Sequence, residues 1–256
     1  MRNRLLTLFK DRSNTKLSVY FTAGFPAIND TVSTIRSLEN AGVDFIEIGF
    51  PFSDPLADGP VIQESCRVSL QNGMSLKVLF RQLKNIRDMV KLPLILMGYL
   101  NPVLQYGIAD FLSDCADAGI DGLILPDLPP DIYTEQYKEL FEHHSLSFIP
   151  LITPATTEER IRYLDEHSTG FIYMVSSHST TGSRISLAEQ ENYLKRVSAL
   201  RLKNPLVLGF GIQSAEHVRF AMRYCDGAIV GSAFIRHQVD NGNKNIEAFI
   251  SELKQL

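Results

Sequence analysis

The sequence predicts an α/β protein folded as a single (β/α)8 TIM barrel that spans residues 1–256 as one domain. Eight short apolar runs recur along the chain, and each is followed by a polar stretch and a helical pattern. Eight units in 256 residues give 32 residues per unit, about the length of a strand with its crossover helix. The runs are almost continuously apolar, which is typical of parallel strands covered on both faces. The predicted strands are 17–23, 44–49, 93–98, 121–126, 147–152, 170–175, 205–209 and 226–231.

The segments between the predicted strands carry helical spacing. Residues 29–41 open with Asn-Asp and place their apolar residues along one helical face, and residues 76–90 and 187–202 do the same. A weak repeat supports the barrel, because residues 41–46 resemble residues 118–123. In each copy a glycine follows a helix, where it can act as a left-handed cap, and an aspartate then opens the next strand.

An open, doubly wound sheet is the alternative fold. Such a sheet usually has a glycine-rich nucleotide-binding turn after its first strand. Here that turn reads Ala23-Gly24-Phe25-Pro26, and no GxxxxGK[ST] motif occurs in the chain. The sequence therefore favours the barrel.

Composition excludes several classes of protein. Hydrophobic residues make up 45% and charged residues 21%, as in ordinary globular chains, so a disordered or fibrous protein is excluded. The net charge is −4, with no basic run to bind nucleic acid or an anionic membrane. The three cysteines lie far apart and form no CxxC pair, which fits reduced thiols. With no signal-peptide core and no apolar run of about 18 residues, we expect a soluble, cytoplasmic protein.

Glu47 is the first candidate for chemistry. It lies two residues before the end of the apolar second strand, and active sites of such barrels form at the carboxyl ends of the strands. A buried carboxylate has a raised pKa unless it is paired, which suits it to proton transfer near neutral pH. The alternative is a structural charge bonded to a neighbouring strand or loop.

The loop after this strand, residues 50–60, is rich in proline and aspartate. Asp58 is followed by glycine, and Asp-Gly is also a common turn dipeptide, so the residues alone leave its role open. Tyr173, two residues before the end of the sixth strand, is a candidate to place its hydroxyl in the barrel mouth or to be an ordinary core residue.

Three glycine-bearing loops predict a phosphate site. Gly209-Phe210-Gly211-Ile212 ends the seventh strand, Gly231-Ser232-Ala233 ends the eighth, and Thr180-Thr181-Gly182-Ser183 follows the sixth. Glycine lets backbone N–H groups approach an anion, and loops after strands seven and eight are the usual phosphate site of this barrel. The six histidines show no metal-binding spacing, so we expect no metal.

The string PFSDPLADGP at residues 51–60 resembles the signature loop of the tryptophan synthase α subunit family. The likeness extends over nearly the whole chain, through LPDLPP at 125–130, LITPATTEERI at 151–161 and GFGI at 209–212. The ten-residue string is highly specific, whereas GFGI alone is weak. This family folds as a (β/α)8 barrel and cleaves indole-3-glycerol phosphate to indole and glyceraldehyde 3-phosphate.

The resemblance implies a role for each candidate residue. Glu47 matches the general acid/base, Asp58 the carboxylate that pairs with the indole N–H, and Tyr173 a supporting active-site tyrosine. The phosphate-binding loops match at Gly182, Gly211, Gly231 and Ser232, the indole pocket at Tyr20 and Tyr99, and the mobile loop at Thr181.

The resemblance also implies a partner. The family works with a β subunit in an αββα heterotetramer and passes indole to it, with pyridoxal phosphate on the β partner and no cofactor on this chain. Residues 53–60 and 101–105 match the regions that contact that partner. Partner binding is then expected to order Asp58 and to raise activity.

Two departures from the family pattern keep a second hypothesis open. After strand six the usual Ser-Arg-x-Gly-Val-Thr-Gly reads SSHSTTG at 176–182, without the arginine and the middle glycine, and Gly98 stands where threonine or methionine is usual. The alternative is a catalytically weak binding and regulatory subunit that mainly activates the β subunit. A phosphoribosyl isomerase or indole-glycerol-phosphate synthase is a third reading, disfavoured because those families lack the PFSDPLADGP loop.

Overall fold

A computed structural model describes residues 3–175, 187–209 and 211–255, with the side chains of residues 187–189 excepted. Within these ranges nine strands form one sheet, and every pair of neighbouring strands is parallel. The strands are β1 (Lys16–Thr22), β2 (Phe45–Gly49), β3 (Leu94–Met97), β4 (Gly122–Ile124), β5 (Ser147–Phe148), β6 (Leu151–Ile152), β7 (Ile172–Val175), β8 (Leu206–Gly209) and β9 (Gly227–Val230).

The sheet closes into the predicted barrel. Its order is β5-β4-β3-β2-β1-β9-β8-β7-β6, so its first and last strands are two halves of the predicted fifth strand. Pro150 lies between the halves and has no N–H to donate to a neighbouring strand. The first half pairs with β4 and the second half with β7, as the closed barrel requires. The eight predicted strands are all present, and the fifth is divided.

Helices surround the strands and agree with the predicted segments apart from their ends. The predicted helix 76–90 stops at Leu83 and resumes as one 3-10 turn at Ile86–Asp88, and the helix predicted to reach residue 202 ends at Ser198. No helix in the described ranges is both long and apolar enough to cross a membrane. The helices are α1 (Arg4–Leu8), α2 (Asp30–Asn40), α3 (Pro60–Gln71), α4 (Leu76–Leu83), α5 (Leu100–Tyr106), α6 (Ile108–Asp117), α7 (Pro130–Ile132, which continues as a π-helical turn at Tyr133–Tyr137), α8 (Lys138–His143), α9 (Glu158–His167), α10 (Leu187–Ser198), α11 (Ala215–Met222), α12 (Ser232–Asn241) and α13 (Ile246–Leu253).

Side chains that alternate along the strands build two apolar regions. One fills the barrel interior and includes Phe45, Ile95 and Phe171, with Leu5 and Phe9 of the N-terminal segment packed against it. The other lies between the barrel and its helices and includes Ile46 and Ile48 of the same β2 strand. Because Phe45 faces inward, Glu47 and Gly49 face inward as well.

At the amino end of the barrel, four side chains connect neighbouring strands by hydrogen bonds. They lie just before β2, β4, β7 and β9 and accept from an N–H of β1, β3, β5 and β8, respectively. The four pairs are Asp44 with Leu17 (2.8 Å), Asp121 with Leu94 (3.0 Å), Thr169 with Phe148 (3.0 Å) and Asp226 with Leu206 (2.8 Å). Gly42 and Gly119, just before two of the aspartates, have the positive φ that the sequence repeat predicts, at 82° and 73°.

Candidate active site

Apart from Glu47, the predicted site residues that the structure describes line two adjoining spaces at the carboxyl end of the barrel. Glu47 is fully buried and lines neither space. A cleft lies at this end, and a narrower space shares Tyr20, Asp58 and Met97 with it and extends to Tyr99. The predicted residues that line the first cleft are Tyr20, Asp58, Tyr173, Gly211, Gly231 and Ser232. Thr181 and Gly182 lie outside the described residues.

Glu47 is an unpaired carboxyl group inside the barrel. Its side chain is fully buried, and neither carboxyl oxygen has a hydrogen-bond partner among the described residues. Burial raises the pKa of Glu47 to about 8, because the charged form is poorly solvated there. Among the described residues, Glu47 is therefore not a charged group bonded to a neighbouring strand or loop, which was the alternative interpretation. With this pKa, its carboxyl group is mostly protonated at neutral pH.

Asp58 is held at the mouth by its own loop and by Tyr99. The Asp58 N–H donates to the carbonyl of Pro55 (3.0 Å), and the Tyr99 hydroxyl donates to Oδ2 of Asp58 (3.3 Å). The same hydroxyl accepts a hydrogen bond from the N–H of Ala57 (2.9 Å). Burial raises the pKa of Asp58 to about 6, and the Tyr99 hydrogen bond opposes that rise. Asp58 is therefore mostly ionised at neutral pH, in contrast to Glu47.

Two buried tyrosines lie beside these carboxyl groups. The Tyr20 hydroxyl lies over the backbone of Gly49, and the Tyr173 hydroxyl lies over that of Gly209, where a Cβ atom would collide with each. Burial raises the pKa of both phenols well above the usual value, and the charges of Glu47 and Asp58 raise each further. Both tyrosines thus keep their protons at neutral pH.

The opposite side of the cleft is built from backbone. Helix α12 begins at Ser232, directly after Gly231, and the N–H groups of a first helical turn have no acceptor within the helix. Gly211, on the neighbouring loop, has a φ of 80°, a conformation that favours glycine. A helix N-terminus beside a glycine loop attracts anions. This side of the cleft can therefore bind a phosphate group.

Several lining residues were not predicted from the sequence. Cys66 of α3 lines the narrower space, and burial raises the pKa of its thiol to about 12, so it stays neutral. Gln213 directly follows the GFGI string, which is the one signal that could have indicated it. The residues missed are Ile62, Met97, Ile212, Gln213 and Ile229 in the cleft and Phe50, Phe52, Cys66 and Pro126 in the narrower space.

The packing around residue 98 explains why this chain has glycine there. A Cβ atom at position 98 would collide with the ring of Phe50, which is buried and lies edge-on to Phe111 at 6.1 Å between ring centroids. The departure from the family pattern at residue 98 therefore admits a large side chain at residue 50. Phe50 begins the loop that carries Asp58, so the space at Gly98 fixes the start of that loop.

A protein-family model described as tryptophan synthase alpha chain matches residues 6–256. The chain belongs to the tryptophan synthase alpha chain family. A tryptophan synthase alpha chain of Flavobacterium psychrophilum is 58% identical over 238 residues, which cover 93% of this chain and 94% of that protein. One from Bacteroides fragilis is 48% identical over 255 residues, which cover 99% of this chain and 96% of the relative.

Solved structures of the family superpose closely on this chain. The crystal structure of tryptophan synthase subunit alpha from Legionella pneumophila has a TM-score of 0.90 and 34% identity, covering 100% of this chain and 98% of that one. Tryptophan synthase of M. tuberculosis, in an aminoacrylate-bound form, gives a TM-score of 0.86 and 32% identity, covering 98% of each chain.

The reaction of this chain follows from its family. It is a carbon–carbon lyase of tryptophan biosynthesis that cleaves indole-3-glycerol phosphate to indole and glyceraldehyde 3-phosphate. The family's name, alpha chain, implies a β-subunit partner. Among the described residues no group of three or more His, Cys, Asp or Glu side chains is placed to hold a metal ion.

Proposed function

We propose that Glu47 is the acid/base of this cleavage. The supporting observation is its buried carboxyl group, which has no partner among the described residues and a pKa raised to about 8. Cleavage requires the indole ring to become a leaving group, and protonation of the ring carbon supplies that. A carboxyl group that holds its proton at neutral pH is suited to donate it. The resulting carboxylate then assists removal of the proton from the glycerol hydroxyl.

Asp58 stabilises the cation that this protonation creates. A carboxylate with a pKa of about 6 is ionised where Glu47 is still protonated, so the two groups carry different charges in the same pH range. Asp58 accepts the indole N–H, and Tyr99 holds its Oδ2 in place. Tyr20 and Tyr99 contribute to the wall around the indole ring, and Tyr173 supports the reacting atoms with a neutral hydroxyl.

The substrate phosphate binds on the backbone side of the cleft. Gly211, Gly231 and Ser232 hold it, together with Gly182, which lies outside the described residues and is assigned from the resemblance. The N-terminus of α12 supports this assignment, because its free N–H groups favour an anion. The phosphate is remote from the bond that breaks, so its binding energy can orient the reacting carbon between Glu47 and Asp58.

The β partner binds where the Asp58 loop and α5 meet. A groove lies there between residues 51–54, the start of α4 and α5. Leu56, 80% exposed, and Leu104, 50% exposed, are apolar side chains near this groove that a partner would cover. We place the chain in an αββα assembly in the cytoplasm, as one catalytic domain that passes indole to a pyridoxal-phosphate β subunit and needs no cofactor itself. The three buried free thiols support a reducing compartment.

Indole release from indole-3-glycerol phosphate tests this proposal, first with the purified chain and then with a saturating β subunit. We expect release that increases when the β subunit is added and that falls by about 10²–10⁴-fold in Glu47→Gln under both conditions. Glu47→Gln should still activate β-subunit turnover of indole and serine. Normal release by Glu47→Gln would assign the acid/base elsewhere. No release by the wild type, with β activation intact, would favour the regulatory subunit.

A further inference from the structure

Ser18 is a second unpaired polar group inside the barrel. Its side chain on β1 is fully buried, and its hydroxyl has no hydrogen-bond partner among the described residues. A small apolar residue would fill this position without burying an unsatisfied hydroxyl, which is unfavourable. The site proposed above assigns Ser18 no role, so its hydroxyl calls for a physical explanation.

Strand register places Ser18 next to Glu47. Ser18 pairs with Phe45, and Tyr20 pairs with Glu47, on the adjacent strands β1 and β2. Tyr20 and Phe45 both belong to the barrel interior, so Ser18 and Glu47 face the interior too. They are diagonal neighbours across two parallel strands, about 8 Å apart along the backbone for strands about 4.8 Å apart with a rise of about 3.3 Å per residue. The two side chains are not hydrogen-bonded to each other while Glu47 holds its proton.

The groups around Glu47 differ between its two sides. Toward the mouth lie the neutral phenols of Tyr20 and Tyr173, whose pKa values the charge of Glu47 helps to raise, and the carboxyl group of Asp58. The inward side chains of the other described strands are apolar beside it: Ile95 and Met97 of β3, Ile124 of β4 and Ile229 of β9. Toward the closed end of the barrel, Ser18 presents a hydroxyl to the same interior. Lys16, two residues before Ser18 on β1 and 7% exposed, lies on the same face of the strand. The two unpaired groups, Ser18 and Glu47, therefore face one barrel interior.

We propose that Ser18 is a positioning residue for Glu47, donating its hydroxyl hydrogen to the Glu47 carboxylate after the acid has given its proton to the substrate. This rests on the role proposed above for Glu47. The proton that moves is the one on Glu47, and it passes to the indole ring carbon, while Ser18 keeps its own proton throughout. A hydrogen bond to a carboxylate is about twice as strong as one to a neutral acid. Ser18 thus favours the state after proton transfer over the state before it.

The test compares Ser18→Ala with Ser18→Thr, which keeps the hydroxyl. We expect Ser18→Ala to lower kcat for indole release about ten-fold with little change in KM, since a hydrogen bond to a charged group is lost after binding. The pKa of Glu47 should rise in this variant, which moves the alkaline limb of the pH–rate profile to higher pH. Ser18→Thr should restore both the rate and the limb.

Tyr133→Phe is the matched control. Tyr133 also has a buried hydroxyl without a partner among the described residues, but its ring packs outside the barrel interior, stacked on Phe148 at 3.8 Å between centroids. Its rate and pH profile should match the wild type. If Ser18→Ala keeps the wild-type kcat and alkaline limb while Glu47→Gln is inactive, the role of Ser18 is wrong and that of Glu47 stands. If Glu47→Gln cleaves normally, the proposed roles of Ser18 and Glu47 are both wrong.

Discussion

A buried carboxyl group at the amino end of the barrel is paired with opposite charges, whereas one at the carboxyl end has no partner among the described residues. At the amino end Asp121 is 2% exposed and is bonded to Arg4 (3.3 Å), to Arg87 (2.7 Å) and to the N–H of Leu94. At the carboxyl end Glu47 is 0% exposed and has no partner among the described residues. Burial is thus nearly the same, but only Asp121 has its charge compensated. The first arrangement holds strands together, and the second keeps a proton available.

The largest expected effect comes from removing the unpaired acid. Glu47→Gln keeps the size of the side chain but removes the proton-transfer group, so we expect indole release to fall by about 10²–10⁴-fold. The fold should persist, because no described hydrogen bond is lost. Steady-state indole release and circular dichroism measure the two effects. A variant that is inactive because it is unfolded would contradict the contrast between the two ends.

Asp121→Asn should produce the converse result. The change leaves Arg4 and Arg87 without a buried counter-charge, so the free energy of unfolding should fall by about 3–5 kcal/mol. Activity per folded molecule should stay near the wild-type value. Urea unfolding measures the loss, and Asp131→Asn is the control, because its pair with Arg160 is exposed and should contribute at most about 1 kcal/mol. Equal losses in the two variants would overturn the structural role of Asp121.

The pH dependence of cleavage should show two limbs. Asp58 must be ionised, so activity rises as the pH increases through about 6, and Glu47 must be protonated, so activity falls as the pH increases through about 8. A pH series of kcat/KM measures both limbs, because that quantity reports the groups of the free enzyme. Asp58→Asn should remove the acidic limb and leave a slow reaction with only the alkaline one. An unchanged acidic limb in this variant would assign that limb to another group.

The pH dependence of the free energy of unfolding should also show that Glu47 is protonated in the folded chain. Its pKa in the folded chain, about 8, lies above the ordinary value of 4.5, so its contribution to stability is fully present below about pH 4.5 and is lost as the pH rises to about 8. Glu47→Gln does not ionise, so its stability relative to the wild type should increase over that range, by a few kcal/mol. Urea unfolding from about pH 5 to about pH 8 measures this difference, and a constant difference would argue against the buried neutral acid.

The smallest effect is expected at Tyr99. Tyr99→Phe removes the donor to Asp58 and the acceptor for Ala57, so the pKa of Asp58 should rise and the acidic limb should move to higher pH. The stability change should be about 1 kcal/mol. Tyr224→Phe, which removes a hydroxyl bonded to Glu191 away from the cleft, is the control and should leave the limb unchanged. A shift of equal size in both variants would exclude a specific role for Tyr99.

Local pattern was sufficient to predict the strands, and it made Glu47 a candidate because an acidic residue in an apolar strand is visible in the sequence alone. The structure shows that Glu47 is buried there, and its catalytic role stays a prediction. The division of the fifth strand was not predicted, since Pro150 lies within a run that reads as continuous. The bond between Tyr99 and Asp58 joins residues 41 apart and depends on the path of the loop between them. Ser18 has no signal either, because a serine among apolar residues is ordinary until the register places it beside Glu47.

Titration of Glu47 itself tests the contrast between the two ends most directly. The infrared band of a protonated carboxylic acid, taken as the difference between the wild type and Glu47→Gln, follows this one group. We expect a band at about pH 6 that disappears as the pH rises through about 8. A band that is already lost near the ordinary pKa of 4.5 would show that burial does not disfavour the charge of Glu47, and Glu47 would then not be the buried neutral acid.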